Sequence, residues 1–184
     1  MAEIQSDIES IKEFRNGNQN AFIGLVSKYQ QQVYRIAFGI IFNHHLAEDI
    51  SQETFVKLWK SLKSGYFDEN RPIYPWVRTV CLNLSRDFYK KKKRQAQIEK
   101  ESLETNSKDD CNGGNSMNTT DKTEKIRQAI ESLDPERREV LILRIIEGLS
   151  YKEISRQLNC SIGTVMSRLF RARLELKNLL VKRS

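Results

Sequence analysis

The sequence has few of the residues that build cross-linked or metal-bound folds. Its three cysteines, Cys81, Cys111 and Cys160, are an odd number without C-x-x-C spacing, which argues against a disulfide framework and a tetrahedral zinc site. Its two histidines, His44 and His45, are adjacent. On a helix they would point about 100° apart and could not share one metal ion. We therefore expect no metal and no other cofactor.

Long apolar runs and catalytic motifs are also missing. The sequence has no stretch of 18 apolar residues, and Met1 to Phe14 alternates charged and apolar residues without the core of a signal peptide. We expect a cytoplasmic protein that does not insert into a membrane. No nucleophile–base pair, glycine-rich phosphate loop or pair of catalytic carboxylates can be found, so we expect no enzymatic activity.

The charge of the chain is biased towards cations. Its 31 Lys and Arg residues exceed its 24 Asp and Glu residues, for a net charge of +7 over 184 residues. Such an excess favours a polyanionic partner, because cations that neutralise phosphates release condensed counterions. A membrane surface would also satisfy this charge. The chain is long enough for one ordinary domain or two small ones.

The first half of the chain has helical periodicity throughout. Apolar residues recur every three or four positions over residues 20–42 and again over residues 47–63, which predicts two amphipathic helices. Glycine and proline predict a loop over residues 65–75, although it contains aromatic residues. A third helix is predicted to begin near Pro75 and to end in the cations Lys90–Arg94.

A polar segment separates this half from a second helical region. Residues 95–122 have no apolar period, which predicts a flexible linker. Helical spacing resumes at Ile126, and Asp134-Pro135 predicts the start of a helix that ends at Gly148. We therefore predict an all-α protein without strands. It would have a domain of three to four helices over 1–94 and a domain of four helices over 123–184.

The C-terminal residues predict a helix-turn-helix. Ser150 and Glu153 have the spacing of a capping box, which begins a helix of about nine residues. Asn159 suits a left-handed turn position, and Ser161 can cap a second helix. Two capped helices joined by so tight a turn form a helix-turn-helix.

The second helix of this motif would present DNA-binding side chains. Thr164, Ser167, Arg168 and Arg171 are predicted to point outward, and hydroxyl and guanidinium groups bond phosphates and base edges in the major groove. The competing interpretation is a helical hairpin whose polar face is merely solvated. Capping, the tight turn and the basic face coincide here, which favours a helix that reads duplex DNA.

Most of the chain resembles one family, the extracytoplasmic-function (ECF, group 4) sigma factors of the sigma-70 family of bacterial RNA polymerase. Region 4 of that family, which reads the −35 promoter element, is similar to SLDPERREVLILRIIEGLSYKEISRQLNCSIGTVMSRLFRARLEL. Region 2.2, which binds the polymerase, is similar to AEDISQETFVKLWKSL. Regions 2.3 and 2.4, which recognise and melt the −10 element, are similar to PIYPWVRTVCLNLSRDFYKKKKR. No segment resembles the region 3 domain of larger sigma factors.

The resemblance implies three groups of functional residues. Those expected to contact the polymerase are Asp49, Gln52, Glu53, Phe55 and Val56. Those expected to bind and melt the −10 element are Phe67, Tyr74, Trp76, Arg78, Asn83, Arg86 and Lys90. Those expected at the −35 element are Thr164, Ser167, Arg168, Phe170 and Arg171. Trp76 also lies on the apolar stripe of its helix and could equally be a core residue. The polymerase group could likewise be a solvated helix face.

The resemblance also implies partners. These are core RNA polymerase, through its β′ clamp helices and β flap, promoter DNA, and an anti-sigma factor that is commonly membrane-bound. The main alternative is a stand-alone helix-turn-helix regulator whose N-terminal domain senses a ligand or dimerises. A third interpretation is an RNA-binding adaptor.

Overall fold

The structure is a computed structural model that describes residues 2–68, 71–102 and 121–182, and within these ranges every regular element is an α-helix. This confirms the predicted all-α class. The helices are α1 Ala2–Arg15, α2 Gln19–Ile41, α3 His44–Lys63, α4 Ile73–Ser102, α5 Asp121–Glu131, α6 Pro135–Ile145, α7 Tyr151–Leu158 and α8 Ile162–Lys182. No described helix is long and apolar enough to cross a bilayer.

Contacts divide the chain into two units. The first contains residues 1–38 and 44–88, and the second contains residues 39–43 and 89–184. The first unit therefore holds α1, α3, most of α2 and the first half of α4. The second unit holds α5 to α8, which include the predicted helix-turn-helix.

The core of the first unit is built from the apolar faces of its helices. Val33, Leu58 and Leu82 are fully or almost fully buried, as the three-and-four spacing predicts. An aromatic cluster extends this core: the ring centroids of Trp59 and Phe14 lie 4.6 Å apart, and the two ring planes are inclined at 65°. Such edge-to-face pairs add stability beyond the area that they bury.

Helix α1 was not predicted, since charged and apolar residues alternate along it. The structure shows how it is held against α2. The carboxylate of Asp7 is buried and accepts hydrogen bonds from the Lys28 ammonium at 2.6 Å and from the Tyr29 hydroxyl at 2.5 Å. A buried carboxylate is costly unless it is paired in this way, so these bonds define where α1 lies.

Helix α4 differs from the prediction at both ends. It begins at Ile73, before Pro75, and continues beyond Arg94 to Ser102. The helix thus continues into the first residues of the predicted linker. Residues 103–120 of that predicted linker, which include Cys111, lie outside the described residues, and α5 begins at Asp121.

The second unit buries apolar residues from each of α5 to α8, among them Ala129, Leu143, Ile154 and Leu169. Pro135 occupies the first turn of α6 as predicted, but the side chain of Asp134 makes no capping bond. Arg138 stabilises this corner instead, donating from Nη2 to the carbonyl of Leu133 at 3.0 Å. Its guanidinium is almost completely buried, and this burial lowers the pKa of Arg138.

Candidate nucleic-acid interface

A complete capping box begins α7, the first helix of the motif. The backbone N–H of Glu153 donates to the Ser150 hydroxyl at 3.3 Å, and the backbone N–H of Ser150 donates to Glu153 Oε2 at 2.8 Å. Both bonds satisfy amides that a helix leaves without partners at its N-terminus. The predicted start of α7 is confirmed.

The turn between α7 and α8 has the conformation that the sequence predicts. Asn159 is left-handed, with φ 51° and ψ 49°. The turn is closed by the backbone N–H of Cys160, which donates to the carbonyl of Ser155 at 3.1 Å. The next helix is capped by Ser161, whose Oγ accepts from the backbone N–H of Thr164 at 3.0 Å. The helix-turn-helix is therefore formed as predicted.

Helix α8 separates a buried face from an exposed one. Val165, Leu169 and Ala172 are fully or almost fully buried against the rest of the unit. On the opposite side, Ser167, Phe170 and Arg171 are exposed. These outward side chains offer a hydroxyl, an aromatic ring and a guanidinium, which can contact base edges in the major groove.

Two other predicted DNA-binding residues are half-buried and already have partners. The hydroxyl of Thr164 lies 2.8 Å from Ser161 Oγ within the cap of α8. Arg168 forms an ion pair with Glu136 of α6. Both side chains flank the outward face, which suits contacts to the phosphate backbone better than contacts to bases.

Two cations on α7 were not predicted as DNA-binding residues. Lys152 and Arg156 are exposed and are separated by one helical turn, on the side opposite the buried Ile154. The first helix of a helix-turn-helix crosses the DNA backbone, so both residues are candidates for phosphate contacts. The capping box fixes where α7 begins. Counting helical positions from Ser150 would have placed both residues on the outer side of the helix.

The predicted −10 residues on α4 differ in exposure. Asn83 and Lys90 are exposed on α4. Arg86 is half-buried and donates from Nη1 to Asn83 Oδ1 at 3.2 Å. These three side chains place an amide and two cations along α4.

Phe67 and Arg78 do not have the accessible surface that their predicted role requires. Phe67 is buried, and the centroid of its ring lies 5.9 Å from that of Trp76 in an edge-on contact. Arg78 is buried beside the ring of Tyr74, which stacks on Tyr29. Both side chains contribute to packing in this structure. Trp76 and Tyr74 are half-buried, so both share in the core as well as in the surface.

Tyr66 is the exposed aromatic residue of the loop before α4. Its side chain is 92% exposed, whereas the neighbouring Phe67 is 5% exposed. The backbone on either side is anchored by Arg15, which donates from Nη2 to the Phe67 carbonyl at 2.7 Å and from Nε to the Leu62 carbonyl at 3.3 Å. A positive φ of 76° at Gly65 completes the bend. The loop backbone is thus anchored on both sides of the exposed Tyr66 ring.

The predicted polymerase-binding residues lie on α3. Asp49, Gln52, Glu53 and Val56 are exposed, whereas Phe55 is buried. Four of the five therefore form an outward face with two carboxylates and one apolar side chain. Phe55 is buried beside this face and lines the adjacent groove.

A groove of about 830 Å³ runs beside this face, between α2 and α3. Its apolar lining comes from Phe22, Val26, Phe55, Val56 and Trp59. Tyr34 and Glu48 lie at its polar end, and burial together with the negative charge of Glu48 raises the pKa of Tyr34.

Comparison with known families matches both units. Residues 25–95 match the family description "Sigma-70 region 2", and residues 123–176 match "Sigma-70, region 4". The first segment contains α4 up to its cations, and the second contains α7, the turn and α8 as far as residue 176.

Curated relatives match nearly the whole chain. The ECF RNA polymerase sigma factor SigW of Bacillus subtilis is 31% identical over 178 residues, which cover 92% of this chain and 94% of the relative. The ECF RNA polymerase sigma-E factor of Escherichia coli K12 is 30% identical over 186 residues, covering 97% and 96%.

Two solved structures are also similar. CnrH, in complex with the cytosolic domain of CnrY, has a TM-score of 0.67 and 28% identity, covering 97% of this chain and 99% of that one. The sigma factor RpoE of Bartonella quintana, in complex with the anti-sigma factor NepR, has a TM-score of 0.62 and 25% identity, covering 86% and 96%. With helices, capped turn and family matches in agreement, the chain belongs to the extracytoplasmic-function sigma factors of the sigma-70 family.

Proposed function

We propose that this sigma factor directs core RNA polymerase to promoters by dividing recognition between its two ends. Residues 123–184 would read the −35 element, and residues 1–94 would bind the polymerase and melt the −10 element, with residues 95–122 connecting them. The chain would supply contacts and positions and catalyse no step itself, because RNA synthesis belongs to the polymerase. Its place of action would be the cytoplasm, with the polymerase.

The observation that carries this proposal is the outward face of α8. Ser167, Phe170 and Arg171 are exposed on a helix that follows a capped and tightly closed turn. In such motifs the second helix enters the major groove and its outward side chains contact base edges. Arg168, together with Lys152 and Arg156, would then bind phosphates on either side of the groove.

For the −10 element we propose that Tyr66 acts together with the exposed side chains of α4. Melting requires a surface that holds an unstacked base, and an aromatic ring contributes about 1–3 kcal/mol per stacked base. Tyr66 offers an open ring, whereas Phe67 is packed in the core. Asn83, Arg86 and Lys90 would bond base edges or follow the backbone.

Substitutions in this loop test that assignment. Tyr66→Ala should slow open-complex formation by the holoenzyme on duplex promoter DNA and have little effect on a template that is already melted at −10. Tyr66→Phe should retain activity because it keeps the ring. Phe67→Ala is the matched control and should lower the thermal stability of the first unit instead. Equal activity of Tyr66→Ala and the wild type on duplex DNA would remove Tyr66 from melting.

For the polymerase we propose docking on the outward face of α3. Asp49 and Glu53 place two carboxylates there, and Val56 adds an exposed apolar contact at the edge of the groove. This combination suits a partner helix that carries cations beside an apolar stripe. The β′ clamp helices are the proposed partner, and the β flap is proposed to contact the second unit.

We further propose an anti-sigma factor as the inhibitory partner. The support is that two similar structures, of CnrH and RpoE, were determined with CnrY and with the anti-sigma factor NepR. The partner of this chain could be anchored in a membrane while the sigma factor itself is not inserted.

Gel filtration of the full chain with core RNA polymerase tests the proposal against a stand-alone regulator. We expect the two to elute together. A protein that fails to co-elute, and that alone binds specific DNA tightly as a dimer on half-sites about 34 Å apart, would contradict the sigma-factor function. Preference for structured RNA over promoter DNA would instead support an RNA-binding adaptor.

A further inference from the structure

Helix α8 has an exposed apolar stripe that its own domain does not bury. Ile162, Met166, Phe170 and Leu174 follow one another at intervals of four residues, and all are exposed. Met166 is 54% exposed and Phe170 is 68% exposed. The face of α8 that packs against the rest of the domain consists of Val165, Leu169 and Ala172. Packing within the domain therefore does not account for the exposed stripe.

The middle of the stripe lies on the proposed DNA-reading face. At about 100° per residue, Met166 is about 40° from Phe170 around the helix axis, and Phe170 is about 60° from Ser167. Met166 and Phe170 are therefore neighbours on the surface that also presents Ser167 and Arg171.

The charge of α8 favours nucleic acid over an apolar protein surface as the occupant of this stripe. Between residues 162 and 174 the helix carries Arg168, Arg171 and Arg173 and no acidic residue. An apolar protein groove would have to desolvate these guanidinium groups, which is costly. A DNA groove instead offers them phosphates on both sides.

Base edges in the major groove include one apolar group, the C5 methyl of thymine, and aromatic and aliphatic side chains pack against it. We propose that Met166 and Phe170 read thymine methyl groups in the −35 element. This inference rests on the proposed function and specifies what the α8 face recognises. One turn of helix separates the two side chains by about 6 Å, which is close to two base-pair steps, so the thymines should lie within about two base pairs of each other.

The test replaces thymine by deoxyuridine, which removes the methyl group alone. The probe is duplex promoter DNA that carries the −35 sequence recovered by selection for transcription with the holoenzyme. Holoenzyme should bind uracil-substituted DNA about fourfold more weakly for each contacted methyl, the value expected for one buried carbon. Met166→Ala and Phe170→Ala should each bind thymine DNA more weakly than the wild type does. Each variant should also bind equally well whether thymine or uracil stands at one position, the position that the missing side chain contacts.

Two variants act as controls. Met166→Leu keeps a long apolar side chain and should retain uracil sensitivity. Val181→Ala removes an exposed apolar side chain from the same helix, about 16 Å along the axis from Phe170, and should bind both DNAs as the wild type does. Circular dichroism of each variant shows whether α8 is still folded.

Several outcomes would overturn the inference. Equal affinity for thymine and uracil DNA, with Arg171→Ala still changing base preference, would refute methyl recognition and leave the promoter function intact. Unchanged DNA affinity of Met166→Ala, with weaker binding to core polymerase, would assign the stripe to a protein partner. If holoenzyme that contains the wild-type chain showed no promoter-specific transcription, both the proposed function and this inference would be refuted.

Discussion

Asn159 holds the turn between α7 and α8, and its substitution tests how much of the DNA-reading geometry depends on one backbone conformation. Its φ of 51° and ψ of 49° lie in the left-handed region. A side chain with a Cβ costs about 1–2 kcal/mol there, asparagine tolerates the region better than most residues, and glycine avoids the cost.

The expected effects of two substitutions therefore differ. Asn159→Ala should lower the free energy of unfolding of the second unit by about 1 kcal/mol. That corresponds to a decrease in Tm of about 4–8 °C for a domain of this size. Asn159→Gly also removes the side chain but relieves the strain, and should stay within about 0.5 kcal/mol of the wild type because glycine loses more entropy on folding.

The two units can be followed separately in one protein. Both tryptophans of the chain, Trp59 and Trp76, lie in the first unit. Tryptophan fluorescence therefore reports unfolding of the first unit, while far-ultraviolet circular dichroism reports the helices of both. Asn159→Ala should shift the dichroism transition of the second unit and leave the fluorescence transition unchanged.

Comparing Asn159→Ala with Asn159→Gly shows why substitution at this position changes the stability of the second unit. Equal losses for the two variants would show that the Asn159 side chain, and not its backbone conformation, stabilises the turn. No loss for either variant would contradict the claim that this turn is strained for residues other than asparagine and glycine.

Four further substitutions test other parts of the molecule. Arg171→Ala should cost about 1–3 kcal/mol at one base position of the −35 element, measured by competition between promoters, whereas Arg168→Ala should weaken all promoters alike and reduce the salt slope by about 0.9. Equal losses on every promoter would make Arg171 a phosphate contact. Glu53→Lys should weaken co-elution with core polymerase by charge reversal and leave DNA binding by the second unit unchanged; unaltered co-elution would remove Glu53 from the interface. Ser150→Ala should lower the free energy of unfolding by about 1 kcal/mol, measured in urea, because it removes a cap, and a change below about 0.3 kcal/mol would show that the cap is not needed.

The second unit could be predicted closely because its signals are local. Ser150, Asn159 and Ser161 determine where α7 begins and ends and where α8 begins, through bonds and a turn that span only a few residues. Once the ends of a helix are known, its period determines which side chains are buried and which point outward. The exposed positions of Ser167, Phe170 and Arg171 follow from that period.

The loop before α4 could not be predicted in this way. Whether Phe67 or the neighbouring Tyr66 faces solvent depends on Arg15, which bonds the loop from α1. That contact joins residues 52 positions apart in the sequence, and no local pattern reports it. The burial of Arg78 beside Tyr74 is likewise a tertiary contact.

Helix α1 and the last part of α4 show a second limit of prediction from hydrophobic periodicity. The last part of α4 consists of Lys, Arg, Gln, Glu, Ala, Ile and Ser, mostly good helix formers without an apolar stripe. Helix α1 is held by the bonds of Asp7 to Lys28 and Tyr29. The hydrophobic pattern is weak in both segments. Helix propensity explains the end of α4, and tertiary contacts explain α1.

Run-off transcription with core RNA polymerase and this protein, on a library of random DNA, tests the central claim most directly. If the chain is a sigma factor that reads two elements, the selected templates will share two conserved sequences upstream of the start site, at −35 and −10. Arg171→Ala will alter the first sequence, and Tyr66→Ala will impair melting at the second. Transcripts that do not depend on the protein, or templates that share a single palindromic site, would contradict the claim.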